Sequence, residues 1–168
     1  QGEPIIYKNK LYLTYKDNNY VNHLAVFDGA ELKIIDNPAG LEISDPGTVP
    51  FVLGDKLYLH YTQDIWTGIL VAFDGQNFQV VPVPAAYSVL NSGYVSHSTV
   101  KSDTAYLGFR RSGGANDLAY LADGNLTFIP SPPGYDGNYH GFDGFAISLA
   151  DKVYARYENN TGGSALAV

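Results

Sequence analysis

The sequence predicts an all-β chain: a β-propeller built of four repeats of 46–48 residues, each folding as four short strands. Three observations carry this prediction. A strand-like segment recurs four times, a leucine follows each recurrence at one fixed offset, and Gly- or Asp-bearing turns divide the segments at matching places.

The recurring segments are Lys10-Leu-Tyr-Leu-Thr-Tyr15, Lys56-Leu-Tyr-Leu-His-Tyr61, Thr104-Ala-Tyr-Leu-Gly-Phe109 and Lys152-Val-Tyr-Ala-Arg-Tyr157. Their central tyrosines, Tyr12, Tyr58, Tyr106 and Tyr154, are spaced by 46, 48 and 48 residues. Twelve residues beyond each stands a leucine: Leu24, Leu70, Leu118 and Leu166. Four copies of one offset mark internal repetition, and four-stranded units of about 40–50 residues are the signature of propeller blades. The repeats fall at about 1–41, 42–88, 89–135 and 136–168. In the second, strands are expected over 49–53, 56–61, 69–73 and 78–83, with Gly54-Asp55 and Asp74-Gly75 as tight hairpin turns. Val, Ile, Tyr and Phe crowd these runs on both faces, as in sheets sandwiched between other sheets. No segment keeps a 3.6-residue period, so essentially no helix is expected.

Gly54-Asp-Lys-Leu-Tyr-Leu59 followed by Leu70-Val-Ala-Phe-Asp-Gly75, with their counterparts in the first copy, resembles kelch-type and related secreted bacterial propeller repeats. The resemblance spans nearly the whole chain and implies a propeller rather than a particular activity.

Composition narrows the class. The chain has 168 residues, 45% hydrophobic, 14% aromatic and 16% charged, with 14 Tyr, 18 Gly and neither Cys nor Met. Disorder is excluded by the aromatic content and sparse charge, and no apolar run is long enough for a membrane-spanning helix. A net charge of −7 argues against nucleic acid or an anionic membrane as partner. The absence of Cys removes disulfides, thiolate metal sites and a cysteine nucleophile. A secreted or cell-surface location is expected. The last repeat reads as incomplete, so the chain is expected to belong to a larger ring or to be completed by a second copy; closure on its own is the third option.

Binding is expected on the end that carries the long loops, where rigid strands present variable connections. The loops between repeats contribute Asp45, Thr48, His97, His140 and Asp143; the loops within repeats contribute Tyr20, Trp66, Asp64, Arg110 and Arg111. Asp45, His97, His140 and Asp143 read either as a polar pocket or ion site at the propeller axis, or as groups bonded within their loops. Tyr20 and Trp66 share one repeat column, occupied by Gly114 and Gly162 in the later copies; they suit stacking on a sugar or anchoring a protein, or else cover their own loop. Arg110-Arg111 suits an acidic ligand or a solvated, salt-bridged face.

No Gly-x-Ser-x-Gly elbow, phosphate loop or dinucleotide fingerprint occurs. The expected function is non-catalytic recognition of a glycan or protein, without a cofactor, calcium being left open. The competing reading is a glycosidase or lyase using Asp45, Asp143 and Asp64. A structural spacer is the third.

Overall fold

In the computed structural model, residues 3–43, 49–63, 67–89, 92–135 and 141–168 are described, with only the backbone described at 97, 98 and 145. These residues form four successive antiparallel meanders. The first contains β1 (Ile5–Tyr7), β2 (Lys10–Lys16), β3 (Asn22–Phe27) and β4 (Leu32–Ile35). In the second, β5 (Glu42–Ile43) and β6 (Phe51–Leu53) both pair with β7 (Lys56–Thr62), which is followed by β8 (Gly68–Phe73) and β9 (Phe78–Val80). The third comprises β10 (Gly93–Lys101), β11 (Thr104–Arg110), β12 (Asn116–Ala122) and β13 (Asn125–Ile129). The fourth comprises β14 (Gly141–Leu149), β15 (Lys152–Glu158) and β16 (Ser164–Ala167). The chain is all-β as expected: no α-helix occurs among the described residues, and Ala85–Tyr87 forms a single 3-10 turn. No sheet closes on itself, and no strand pairing ties the first meander to the others among the described residues.

Register follows the repeat columns. Tyr12, Tyr58, Tyr106 and Tyr154 sit opposite Ile5, Phe51, Thr99 and Ile147 on the preceding strand. Because side chains alternate across a strand, each second strand turns its tyrosine to one face and its leucines or alanines to the other. Three apolar clusters result, each between consecutive meanders. Tyr12 and Leu24 pack with Leu57, Leu59, Val71 and Phe73. Tyr58 and Leu70 pack with Ala105, Leu107, Ala119 and Leu121. Leu118, with Tyr106 beside it, packs with Phe142, Ala155 and Tyr157. Tyr12, Tyr58 and Tyr106 therefore pack between units, whereas Tyr154 of the last meander belongs to none of these clusters. His60 and Gly108, in the next column along the same strand, also face the following unit: the His60 ring meets Tyr94 edge-on at 5.1 Å. A Cβ on Gly108 would come within 3.2 Å of Phe142.

The turns divide into two kinds. Gly54 (φ +59) and Asp55 make the expected two-residue hairpin, and Asp123 (φ +51) with Gly124 (φ +76) make another between β12 and β13. The expected tight turn at Asp74-Gly75 is instead a four-residue loop, because Phe73 pairs with Phe78. Asp74 Oδ1 accepts hydrogen bonds from the amides of Gln76 at 2.8 Å and Asn77 at 2.7 Å, and Asp28 closes the corresponding loop of the first meander through Ala30 and Glu31. These amides hold both carboxyls below their ordinary 3.8. The carboxylate thus supplies the acceptor that a longer turn needs.

Adjacent units meet where the third strand of one starts beside the first strand of the next. Gly68 pairs with Gly93 in parallel, and Asn116 pairs with Gly141 in the same manner. The approach is close: a Cβ on Gly93 would lie 2.0 Å from the Gly68 carbonyl oxygen, and one on Gly141 would lie 2.3 Å from that of Asn116. Both glycines are also left-handed, at φ +100 and +111. Geometry and sterics alike exclude a side chain there.

Gly93→Ala and Gly141→Ala are each expected to lower stability by more than about 2 kcal/mol, combining backbone strain with a clash against main chain. Gly124→Ala, at φ +76 with nothing within 4 Å of the added Cβ, should cost only about 1 kcal/mol. Denaturant midpoints of the three variants check the contrast.

His60 gives a second expectation. Burial pushes its imidazole down from 6.5 to about 4. The unfolded chain therefore binds the proton first as pH falls, and stability declines between about 6.5 and about 4, by up to about 3 kcal/mol. Below about 4 the term is flat; above about 6.5 it is fully present. Urea unfolding across this range should show a slope that His60→Gln removes.

Candidate functional site: the long-loop end

Antiparallel order sorts the connections. Hairpins between first and second strands, and between third and fourth, lie at one end of every meander. The loops joining second to third strands, and the passages from one unit to the next, lie at the other. This is the arrangement expected from the sequence.

The second-to-third loops are built alike. Asp17 donates its amide to Val21 O at 2.9 Å, Gln63 to Thr67 O at 3.2 Å, Arg111 to Ala115 O at 2.8 Å and Asn159 to Gly163 O at 2.9 Å. Inside the first loop, Asp17 Oδ1 accepts from the Asn19 and Val21 amides, both at 2.9 Å. Asn159 Oδ1 does the same for Thr161 and Gly163. A short side-chain acceptor at the loop's first position thus satisfies amides that would otherwise lack a partner. The fourth position must then turn left-handed: Gly114 stands at φ +94 and Gly162 at φ +76.

In the first loop that fourth residue is Tyr20, at φ +66. A bulky side chain in this region costs about 1 kcal/mol or more, whereas glycine occupies it freely. Its ring is 82% exposed, so packing over its own loop is not what holds it there. Of the two readings open in the sequence, the covering role is thereby removed for Tyr20. Trp66, in the same column, lies outside the described residues.

Beside Tyr20, between the first and second meanders, is a groove of about 500 Å³ lined by Val21, His23, Asn37, Gly40, Leu41, Glu42, Thr62 and Gln63, with more apolar than polar surface. His23 Nε2 lies 3.3 Å from Asp17 Oδ2. The Val21 amide, followed by His23 and the Asn19 amide, holds the Asp17 carboxyl below its ordinary 3.8 against the opposing effect of desolvation. Asn37 Nδ2 donates to Asn22 O at 2.7 Å, and Asn22 Nδ2 donates to Ile43 O at 3.3 Å, so two amides pin the groove's floor to both units. His23 Nδ1 and Asn37 Oδ1 are buried with no hydrogen-bond partner among the described residues. A buried polar atom without a partner is costly, so each of these two leaves a place for a further polar group, such as a water or a ligand hydroxyl.

The other sequence candidates are dispersed. Asp143 lies on β14, its side chain 7% exposed, and is ion-paired with Arg156 Nε, so its carboxylate is engaged with a cation. It borders a smaller cavity of about 220 Å³ with Ser96, Asn116 and Phe142. Arg110 is exposed and directs Nε to Asn116 Oδ1 at 3.4 Å. Arg111 is committed to the fold: its Nε lies 2.8 Å from Asp117 Oδ2, an oxygen that also accepts from Tyr87 OH at 2.7 Å. Ser131 Oγ donates to the second carboxylate oxygen at 3.3 Å. This set, buried at Tyr87 and Asp117, bridges the loop, β12 and the segment before β10, which favours the salt-bridged reading of Arg111. The backbone of His97 lies in β10 opposite Leu107, between two register shifts, and its side chain is outside the described part. Asp45, Thr48, Asp64 and His140 fall outside the described residues altogether. Among the described residues no three His, Asp or Glu groups gather as an ion site.

His23, Asn37, Glu42, Thr62 and Gln63 escape sequence reasoning because they come from β3, the passage after β4, β5 and the end of β7 with the residue after it, and carry no spacing pattern. Asp17, in the run Asp17-Asn18-Asn19 before Tyr20, is a residue that the sequence does place in the loops of this end.

No family model matches the sequence, and no curated protein matches it. The arrangement of side chains is therefore the basis for any functional reading.

An NMR titration of the carboxyls should place the Asp17, Asp28 and Asp74 midpoints below 3.8. Because their folded values are depressed, the stability they contribute is present above the unfolded carboxylate range and is lost as pH falls through the folded values. Asp17→Ala should release the loop and broaden the Tyr20 amide resonance.

Proposed function

We propose that the four meanders are consecutive blades of a β-propeller, and that the chain is a non-catalytic, secreted or cell-surface module that binds a glycan at its long-loop end. Tyr20 carries the reading. Its loop accepts a strained backbone to hold out an aromatic ring where two sister loops use glycine. Strain retained at an exposed position points to function, and a tyrosine ring offers an apolar face for a sugar with a hydroxyl at its tip.

The adjoining groove supports the same ligand class. Its lining sets the amide, imidazole, hydroxyl and carboxylate groups of Asn37, Gln63, His23, Thr62 and Glu42, which exchange hydrogen bonds with vicinal hydroxyls, beside the apolar Val21 and Leu41, and two of its buried atoms have no partner among the described residues. Trp66 occupies the equivalent sequence column and is the natural second aromatic.

A glycan array, run with calcium and then with chelator, tests this. Saturable binding is expected, and Tyr20→Gly should weaken it by about tenfold or more. The same substitution should leave stability unchanged or raise it by up to about 1 kcal/mol, because it relieves the left-handed strain. Glu42→Gln should weaken binding without changing the melting temperature. Binding that survives Tyr20→Gly, or an array without hits from folded protein, would sink the glycan reading; retention of a protein ligand through Tyr20 would replace it.

A further inference from the structure

The stacking columns reveal two open sheet faces of opposite kind. Leu24, Leu70 and Leu118 are 2%, 1% and 4% exposed because each is covered by the following meander, whereas Leu166, the fourth member, is 66% exposed. Around it on the same face stand Ile147, Leu149 and Val168, at 51%, 64% and 74%. The opposite kind of face, which covers a preceding meander, is closed at Phe73 and Leu121, 1% and 0% exposed. Its counterpart Phe27 in the first meander is 37% exposed, with Ile6 beside it at 65%.

We propose that a second copy of this chain covers both faces head to tail: the outer face of the fourth meander of one protomer packs on the outer face of the first meander of its partner. The argument is continuity with an interface the molecule already forms three times. At each internal junction a tyrosine and leucine face meets an apolar face of the next unit: Leu57, Val71 and Phe73 at the first, Leu107, Ala119 and Leu121 at the second, and Phe142, Ala155 and Tyr157 at the third. The two open faces are one of each kind, so they are complementary to each other and neither is complementary to itself. Exposed apolar surface of this extent is otherwise unfavourable. Arg156, 53% exposed within the last face, is paired with Asp143 and lies 3.8 Å from Glu158, so its burial does not leave a lone charge. Two chains would bring eight meanders into one ring, within the usual range for propellers of about four to eight blades. This inference rests on the stacking of the repeats and is independent of the ligand proposed above.

Native mass spectrometry and light scattering of the 168-residue chain at micromolar concentration test it. The expected mass is twice 18.2 kDa. Leu166→Glu and Phe27→Glu should each weaken association by about tenfold or more while keeping the β-sheet circular dichroism of the parent. Ile6→Glu, on the same face as Phe27, replaces Phe27→Glu if that variant does not fold. An equimolar mixture of Leu166→Glu and Phe27→Glu chains should recover a heterodimer, since one intact junction remains between them; two like faces in contact would not behave this way. An open string of chains abolished by either variant supports the same contact without closure. A wild-type monomer, or a dimer indifferent to both substitutions, overturns the proposal and assigns the faces to another partner.

Discussion

Everything in this chain depends on one sheet lying on the next. A four-stranded meander of this length has too few residues to bury a core by itself, and its two apolar faces are useful only when neighbours cover them. Among the described residues, the three clusters between meanders make up the large-scale packing, and each uses the same columns. The glycine junctions set how near the sheets approach at the long-loop end. There the backbone of one unit touches that of the next at Gly68 and Gly93, and at Asn116 and Gly141.

Much of the fold was legible because repetition averages out local ambiguity. A single run such as Leu57-Tyr-Leu59 fits a strand or a short buried helix, but four copies with one offset to a leucine do not. The orientation of the tyrosine columns followed from the same pattern. The Asp74-Gly75 turn was misjudged because a two-residue signature says nothing about register; Asp74 reaches forward to Gln76 and Asn77, and the hydrogen bonds fix a longer loop. The junction glycines are visible in the sequence as Gly93 and Gly141, 48 residues apart, yet their necessity is visible only as a clash with a carbonyl oxygen.

The candidate site was legible in part. Tyr20 stood out because its column holds glycine in two other copies, and its exposure chose between packing and display. Asp143 and Arg111 stand out in the sequence for their charge, and each is paired with an opposite charge. The groove was hidden for a physical reason. His23, Asn37 and Glu42 meet across a boundary between two meanders, and contacts that distant in sequence leave no periodic trace.

Repetition also creates a hazard in assembly. When every sheet offers nearly the same pair of faces, a folding chain could lay its first unit on its third, or stack on a neighbouring molecule before finishing. The mid-strand column of Thr14, His60, Gly108 and Arg156 differs in size and chemistry at every copy. His60 fits edgewise against Tyr94, while Gly108 leaves the space that Phe142 fills. A wrong pairing would set Phe142 against an imidazole, or leave a void opposite glycine. This column therefore works as a set of addresses, letting units that share one architecture distinguish their proper neighbours.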